Sequence, residues 1–140
     1  MTEKFKKREV VEMLGIPSRR LQFITDQGLL SDTEAFPGRG RDRFYSRVNL
    51  FEILLVEELS KYGMPTSFVK NVVCNRALTL GFRNAVNSEA MPDMFLVVHD
   101  DGSAQSFYQW QDEIVRIDMR KNISAFVVNI RVLVGKAKTV

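Results

Sequence analysis

The strongest restriction on the fold is the punctuation of residues 8–63. Apolar positions at helical spacing, Val10, Val11 and Leu14, stop at Gly15, and Pro17 follows two residues later. A second helical run holds Leu21 and Ile24 on one face, with Phe23 as a further inward candidate, and stops at Gly28. The spacing predicts one helix over Lys7–Leu14, closed by Gly15 in the left-handed conformation. It predicts a second helix over 18–27, opened by the Ser18 hydroxyl.

Residues 31–46 read as a two-stranded hairpin. Pro37, Gly38 and Gly40 mark its turn, and Phe44 and Tyr45 suit its return strand. A third helix is expected from near Asn49, with Leu50, Ile53, Leu54, Glu57 and Glu58 giving an amphipathic pattern that Gly63 stops. Pro65 suits the first turn of a fourth helix reaching to about residue 76, with a stripe of Phe68, Val69, Val72 and Val73 and a break near Gly81. The period changes after Met91 and Pro92. Residues 94–99 and 104–110 read as two strands about an Asp-Asp-Gly-Ser turn, residues 123–130 as a third strand, and residues 131–138 as a terminal helix. Residues 114–121 fit either a strand or a short helix.

The fold class that follows is α+β: a winged helix-turn-helix over residues 1–64, a connecting helical segment over 65–90, and a small β-hairpin/α unit over 91–140 that would dimerise or hold an effector. At 140 residues and 45% hydrophobic, the chain is large and apolar enough to bury a core. Its net charge of +3 is unevenly spread. Arg39, Arg41, Arg43 and Arg47 face the single acid Asp42 within residues 36–47, whereas residues 77–140 hold seven basic and seven acidic side chains. An excess placed in the N-terminal half suits a polyanionic partner.

Other classes find little support. Cys74 is the sole cysteine, so no internal disulfide or paired-cysteine metal site can form, and it reads as a small apolar residue of a packed helix. His99 has no second histidine beside it. No nucleophile elbow, phosphate loop or metal motif occurs, so no enzyme, cofactor or metal is expected. The first residues lack the apolar run of a signal peptide, and no stretch approaches a membrane span, which points to a cytoplasmic location.

The chemistry-bearing residues concentrate in the first half. Ser18, Arg19, Arg20, Gln22 and Phe23 open the second helix. Arginine can pair with guanine and glutamine with adenine in a major groove, and arginine can equally hold phosphate. Arg39, Arg41 and Arg43 alternate along the hairpin, so an extended strand would point all three the same way, with Gly38 and Gly40 allowing close approach to a backbone. The same row would also suit a charged edge strand that discourages aggregation. Lys61, before Tyr62 and Gly63, either reaches a flanking phosphate or sits against the helix C-terminal dipole. Asp100 and Asp101 suit a turn. Phe95, Tyr108 and Trp110 could line an apolar effector pocket, though such aromatics more commonly form core or dimer surface.

Several separated motifs carry a family resemblance. Leu14-Gly15-Ile16, Gly28-Leu29-Leu30, Arg43-Phe44-Tyr45-Ser46 and Tyr62-Gly63-Met64-Pro65 occur in the order found in MerR transcriptional regulators, so residues 7–65 resemble their DNA-binding domain. The family's leucine-arginine-tyrosine-tyrosine-glutamate run stands here as Leu21-Gln22-Phe23-Ile24-Thr25, so Gln22 replaces an arginine and Phe23 lacks a hydroxyl. The resemblance implies a recognition helix docked in the major groove of double-stranded DNA, with Tyr45 at the wing end and Arg43 and Lys61 as phosphate contacts. It also implies a homodimer on palindromic promoter sites, acting on RNA polymerase, with a small-molecule effector in some members. An architectural or excisionase-like DNA-binding protein, or a module gripping an acidic protein partner, remains the alternative from the residues alone.

Overall fold

The structure, a computed structural model, describes residues 3–31, 34–35, 43–89, 94–99, 104–108 and 125–140. The chain starts with a two-residue strand, β1 (Phe5–Lys6), and runs directly into α1 (Lys7–Leu14). The Lys6 N–H donates to the Glu9 carboxylate at 3.1 Å, holding the start of that helix. Gly15 closes α1 at φ 64°, where a side chain would be strained. Its N–H donates to the Val11 carbonyl. Helix α2 (Ser18–Asp26) follows. Its cap is Pro17, whose carbonyl accepts from Arg20 and Leu21, so Ser18 is the first residue of the helix and not its cap. Proline's fixed φ sets the extended geometry that the start of the helix needs.

The hairpin appears as β2 (Glu34–Ala35) and β3 (Arg43–Tyr45). The sheet has three strands where two were expected, because β1 pairs antiparallel with the other side of β3, Phe5 opposite Tyr45. The turn expected about Pro37, Gly38 and Gly40 lies outside the described residues.

Helix α3 (Arg47–Lys61) begins two residues earlier than its apolar pattern indicated. Ser46 supplies the reason. Its hydroxyl accepts from the Asn49 N–H, and the Asn49 side chain returns a bond to the Ser46 N–H at 2.9 Å. Helix α4 (Thr66–Val73) is capped by Pro65 and ends earlier than expected. The break falls at Cys74 and Asn75, not at Gly81, which lies inside the unbroken α5 (Arg76–Asn87). The Thr79 hydroxyl accounts for the position, contacting the carbonyls of both Val73 and Asn75 at the joint. Cys74 is accordingly exposed at the joint instead of packed within a helix.

The second half forms an antiparallel sheet of order β5-β4-β6: β4 (Met94–His99), β5 (Ala104–Tyr108) and β6 (Ala125–Asn129). Helix α6 (Ile130–Thr139) leaves β6 directly. The boundary expected at Met91 and Pro92, and the segment left open over 114–121, fall outside the described residues.

All of this packs around α3. Helices α1, α2, α4, α5 and α6 and strand β3 touch it, and nine of its fifteen residues are buried. Phe51 of α3 meets Phe82 of α5 with ring centroids 5.0 Å apart. Leu96, Val98 and Val128 of the second sheet and Ile130, Leu133, Val134 and Ala137 of α6 belong to the same cluster as Val10, Leu21 and Ile24. The core therefore crosses both the 64 and 90 divisions. Arg47 ties the ends of the fold together, donating to Glu3 near the start, to the Ala137 carbonyl of α6 and to the backbone oxygen of Val140 just after it. Among the described residues no helix is long and apolar enough to cross a membrane.

Candidate nucleic-acid interface

Helix α2 turns Leu21 and Ile24 fully into the core. That leaves Ser18, Arg19, Gln22 and Phe23 exposed, with Phe23 at 38%. Phe23 is thus a surface ring, not a core one. Gln22 is held from both sides: Lys7 of α1 donates to its carbonyl oxygen at 2.7 Å, and its amide donates to Asp26 at 2.8 Å. Arg20 is turned back toward α3. Its Nε donates to Glu57 at 2.6 Å and a terminal nitrogen to Ser60 at 3.2 Å, while the guanidinium lies 5.3 Å from the Phe23 ring centre.

Of the wing residues, Arg43 lies half-buried in β3, opposite Ala35. Arg39 and Arg41 lie outside the described residues. Tyr45 is only 3% exposed, and its hydroxyl shares a 3.0 Å hydrogen bond with Thr25. It ties the return strand of the wing to α2. Lys61 is exposed, 3.9 Å from Glu58 and 5.3 Å from the Tyr62 ring centre.

The root of the wing is fastened by a polar group that sequence reasoning did not single out. Glu52 of α3 is 1% exposed, yet it accepts from the Ser31 N–H at 3.1 Å and from the Asn49 amide at 2.9 Å. The same Asn49 amide also donates to the Ser31 carbonyl at 2.6 Å. Burial pushes the Glu52 carboxyl up to about 7, against the opposing pull of the donors on Ser31 and Asn49. The signal was present in the sequence: Asn49 and Glu52 are the two polar side chains, three apart, in the otherwise apolar run 48–56.

The sequence also pointed to an aromatic group in the second half. Register sets Phe95 opposite Phe107 and Met94 opposite Tyr108. Phe95 and Tyr108 therefore occupy neighbouring rungs, and successive rungs alternate between the faces of a sheet. Trp110 lies outside the described residues. The Cys74 thiol donates to the Gly28 carbonyl at 3.4 Å. Loss of solvation pushes its pKa up, Lys70 opposes this and Glu52 adds to it, so little reactive thiolate forms. Among the described residues no three His, Cys, Asp or Glu side chains stand where they could hold a metal.

The surface thus combines an outward helix face, a fastened wing root and a terminal lysine of α3. No curated protein matches the chain. The sequence pattern of the MerR helix-turn-helix family of regulatory proteins matches residues 5–74, from β1 through the joint at Cys74. That match spans half of the chain and includes every element that builds this surface, so the chain belongs to the MerR family of helix-turn-helix regulators, DNA-binding proteins that control transcription.

Proposed function

We propose that the chain acts as a homodimer that lays α2 in the major groove of a promoter site. Ser18, Arg19, Gln22 and Phe23 face the bases and their flanking backbone, Arg39, Arg41 and Arg43 grip the adjacent backbone or minor groove from the wing, and Lys61 takes a flanking phosphate. Tyr45 acts on this surface by holding the wing against α2. The observation that carries the reading is the division of α2: Leu21 and Ile24 are fully buried while Ser18, Arg19 and Gln22 stand exposed. A helix placed to read DNA needs that division. On this reading residues 1–64 are the DNA-binding unit, 65–90 the connection, and 91–140 the part that pairs two copies or takes a small-molecule effector, with Phe95, Tyr108 and Trp110 as its aromatic candidates. It places the protein in the cytoplasm, where it acts on RNA polymerase at the promoter, without catalysis of its own.

Selection of bound sequences from random duplexes tests it. A two-fold symmetric site is the expected result, and enrichment of no site, or of an asymmetric one, would overturn the dimeric reading. Each phosphate neutralised adds about 0.9 to the slope of log affinity against log salt. Arg41→Ala combined with Arg43→Ala should therefore lower affinity and flatten that slope by nearly 2. An unchanged slope would remove the wing from the interface.

A further inference from the structure

An acid of α3 reaches the helix assigned to DNA. Glu57 lies on α3 one turn before Lys61 and three residues before Ser60, so all three share one side of the helix. It is the residue that takes the Nε of Arg20, with Ser60 taking a terminal nitrogen. Both side chains of the ion pair stay about one-third exposed. A pair so well solvated adds little to stability. Glu57 also repels the phosphates that Arg19 and Lys61 would attract. Fold stability therefore does not account for an acid in this place.

The consequence for binding is direct. With its Nε on a carboxylate at 2.6 Å and a terminal nitrogen on Ser60, the guanidinium is turned toward α3 and its charge is already balanced there, so it offers a phosphate little net charge unless it leaves that anion. The exchange of one anion for another releases no additional counterion. Resting on the DNA reading above, we propose that Glu57 is a positioning residue that withholds Arg20 from the phosphate backbone. It thereby lowers by one the number of phosphates the protein neutralises. Arg20 then serves as a strut between α2 and α3, and its guanidinium is held beside the Phe23 ring on the groove-facing side.

Salt titration of binding to the selected site and to an unrelated duplex tests this in the full chain. Glu57→Gln removes the counter-charge that holds Arg20, and the slope of log affinity against log salt should steepen by about 0.9 on both duplexes. Between 50 and 200 mM salt that amounts to about a threefold greater loss of affinity. Arg20→Ala added to Glu57→Gln should return the slope to that of the unmodified protein. Ser60→Ala, which changes no charge, should steepen it by a smaller amount, and it carries the test if Glu57→Gln is too unstable to titrate. A flat response to the freed arginine overturns the proposal, as does a steepening that survives in the double variant, because the gain would then come from the missing acid alone. Failure of the unmodified protein to bind any duplex at low salt would instead remove the DNA reading itself.

Discussion

Single side chains here do two kinds of work, and Glu52 shows how far apart they lie in legibility. The pattern of Leu21 and Ile24 pointed inward from the sequence, because helical spacing is a local property. Glu52 and the Arg20–Glu57 pair did not stand out, because what defines them is a partner 21 and 37 residues away. The buried carboxyl makes a specific pH dependence. Its folded value of about 7 lies above its ordinary 4.5, so between those values the native chain holds a proton that the unfolded chain releases. Its contribution to stability is thus full below about 4.5 and is lost as pH rises through about 7. Burial sets the direction, and the hydrogen bonds from Ser31 and Asn49 oppose it without reversing it. Glu52→Gln should flatten the fall in unfolding free energy across this window, read by denaturant titrations at a series of pH values. Parallel curves for the two proteins would show that another group titrates.

At the scale of elements, every helix and strand that the sequence placed within the described residues is present, and the differences are the ends of those elements, the position of one break and the added strand β1. Helix α3 starts at its cap, not at its first apolar residue, since Ser46 and Asn49 satisfy the loose N–H groups there. The sequence suggests a break near Gly81, a residue of weak helix propensity. The actual joint is set by a threonine hydroxyl reaching back over two carbonyls, which no propensity encodes. The contribution of β1 was equally hidden, for a two-residue strand has no periodicity to read. The corrected joint has a measurable outcome. Gly81 sits inside α5, with nothing within 4 Å of where a Cβ would stand. Gly81→Ala should therefore stabilise the protein by roughly 0.5–1 kcal/mol, the helix-propensity difference. A shift of the denaturant midpoint in the other direction would mean that the helix bends at this residue.

For the molecule as a whole, the three segments read along the chain share one core, and α3 is its axis. Removing α6 would strip Ile130, Leu133, Val134 and Ala137 from that core. At roughly 1.5–3 kcal/mol for each large apolar side chain, the loss rivals the whole stability of an ordinary domain. A chain ending at residue 129 should lose fixed tertiary structure at 25 °C, visible as collapsed near-ultraviolet dichroism. The full chain should unfold in one transition that coincides by dichroism and by fluorescence. Two separated transitions would instead mean that the DNA-reading half stands alone. The family resemblance located that half, since its motifs are short and contiguous. It was silent on α6, whose place depends on a contact with α3 made some eighty residues earlier in the chain.

A helix walled in on nearly every side cannot drift alone. Any homologue that enlarges Phe51 must find the room by shrinking Phe82 across the ring contact, and a polar replacement at Glu52 must be answered at Ser31 or Asn49. Evolutionary change in this protein should therefore run in matched pairs along α3 while single, unmatched exchanges gather on the outward face of α2, where they leave undisturbed the axle on which the fold turns.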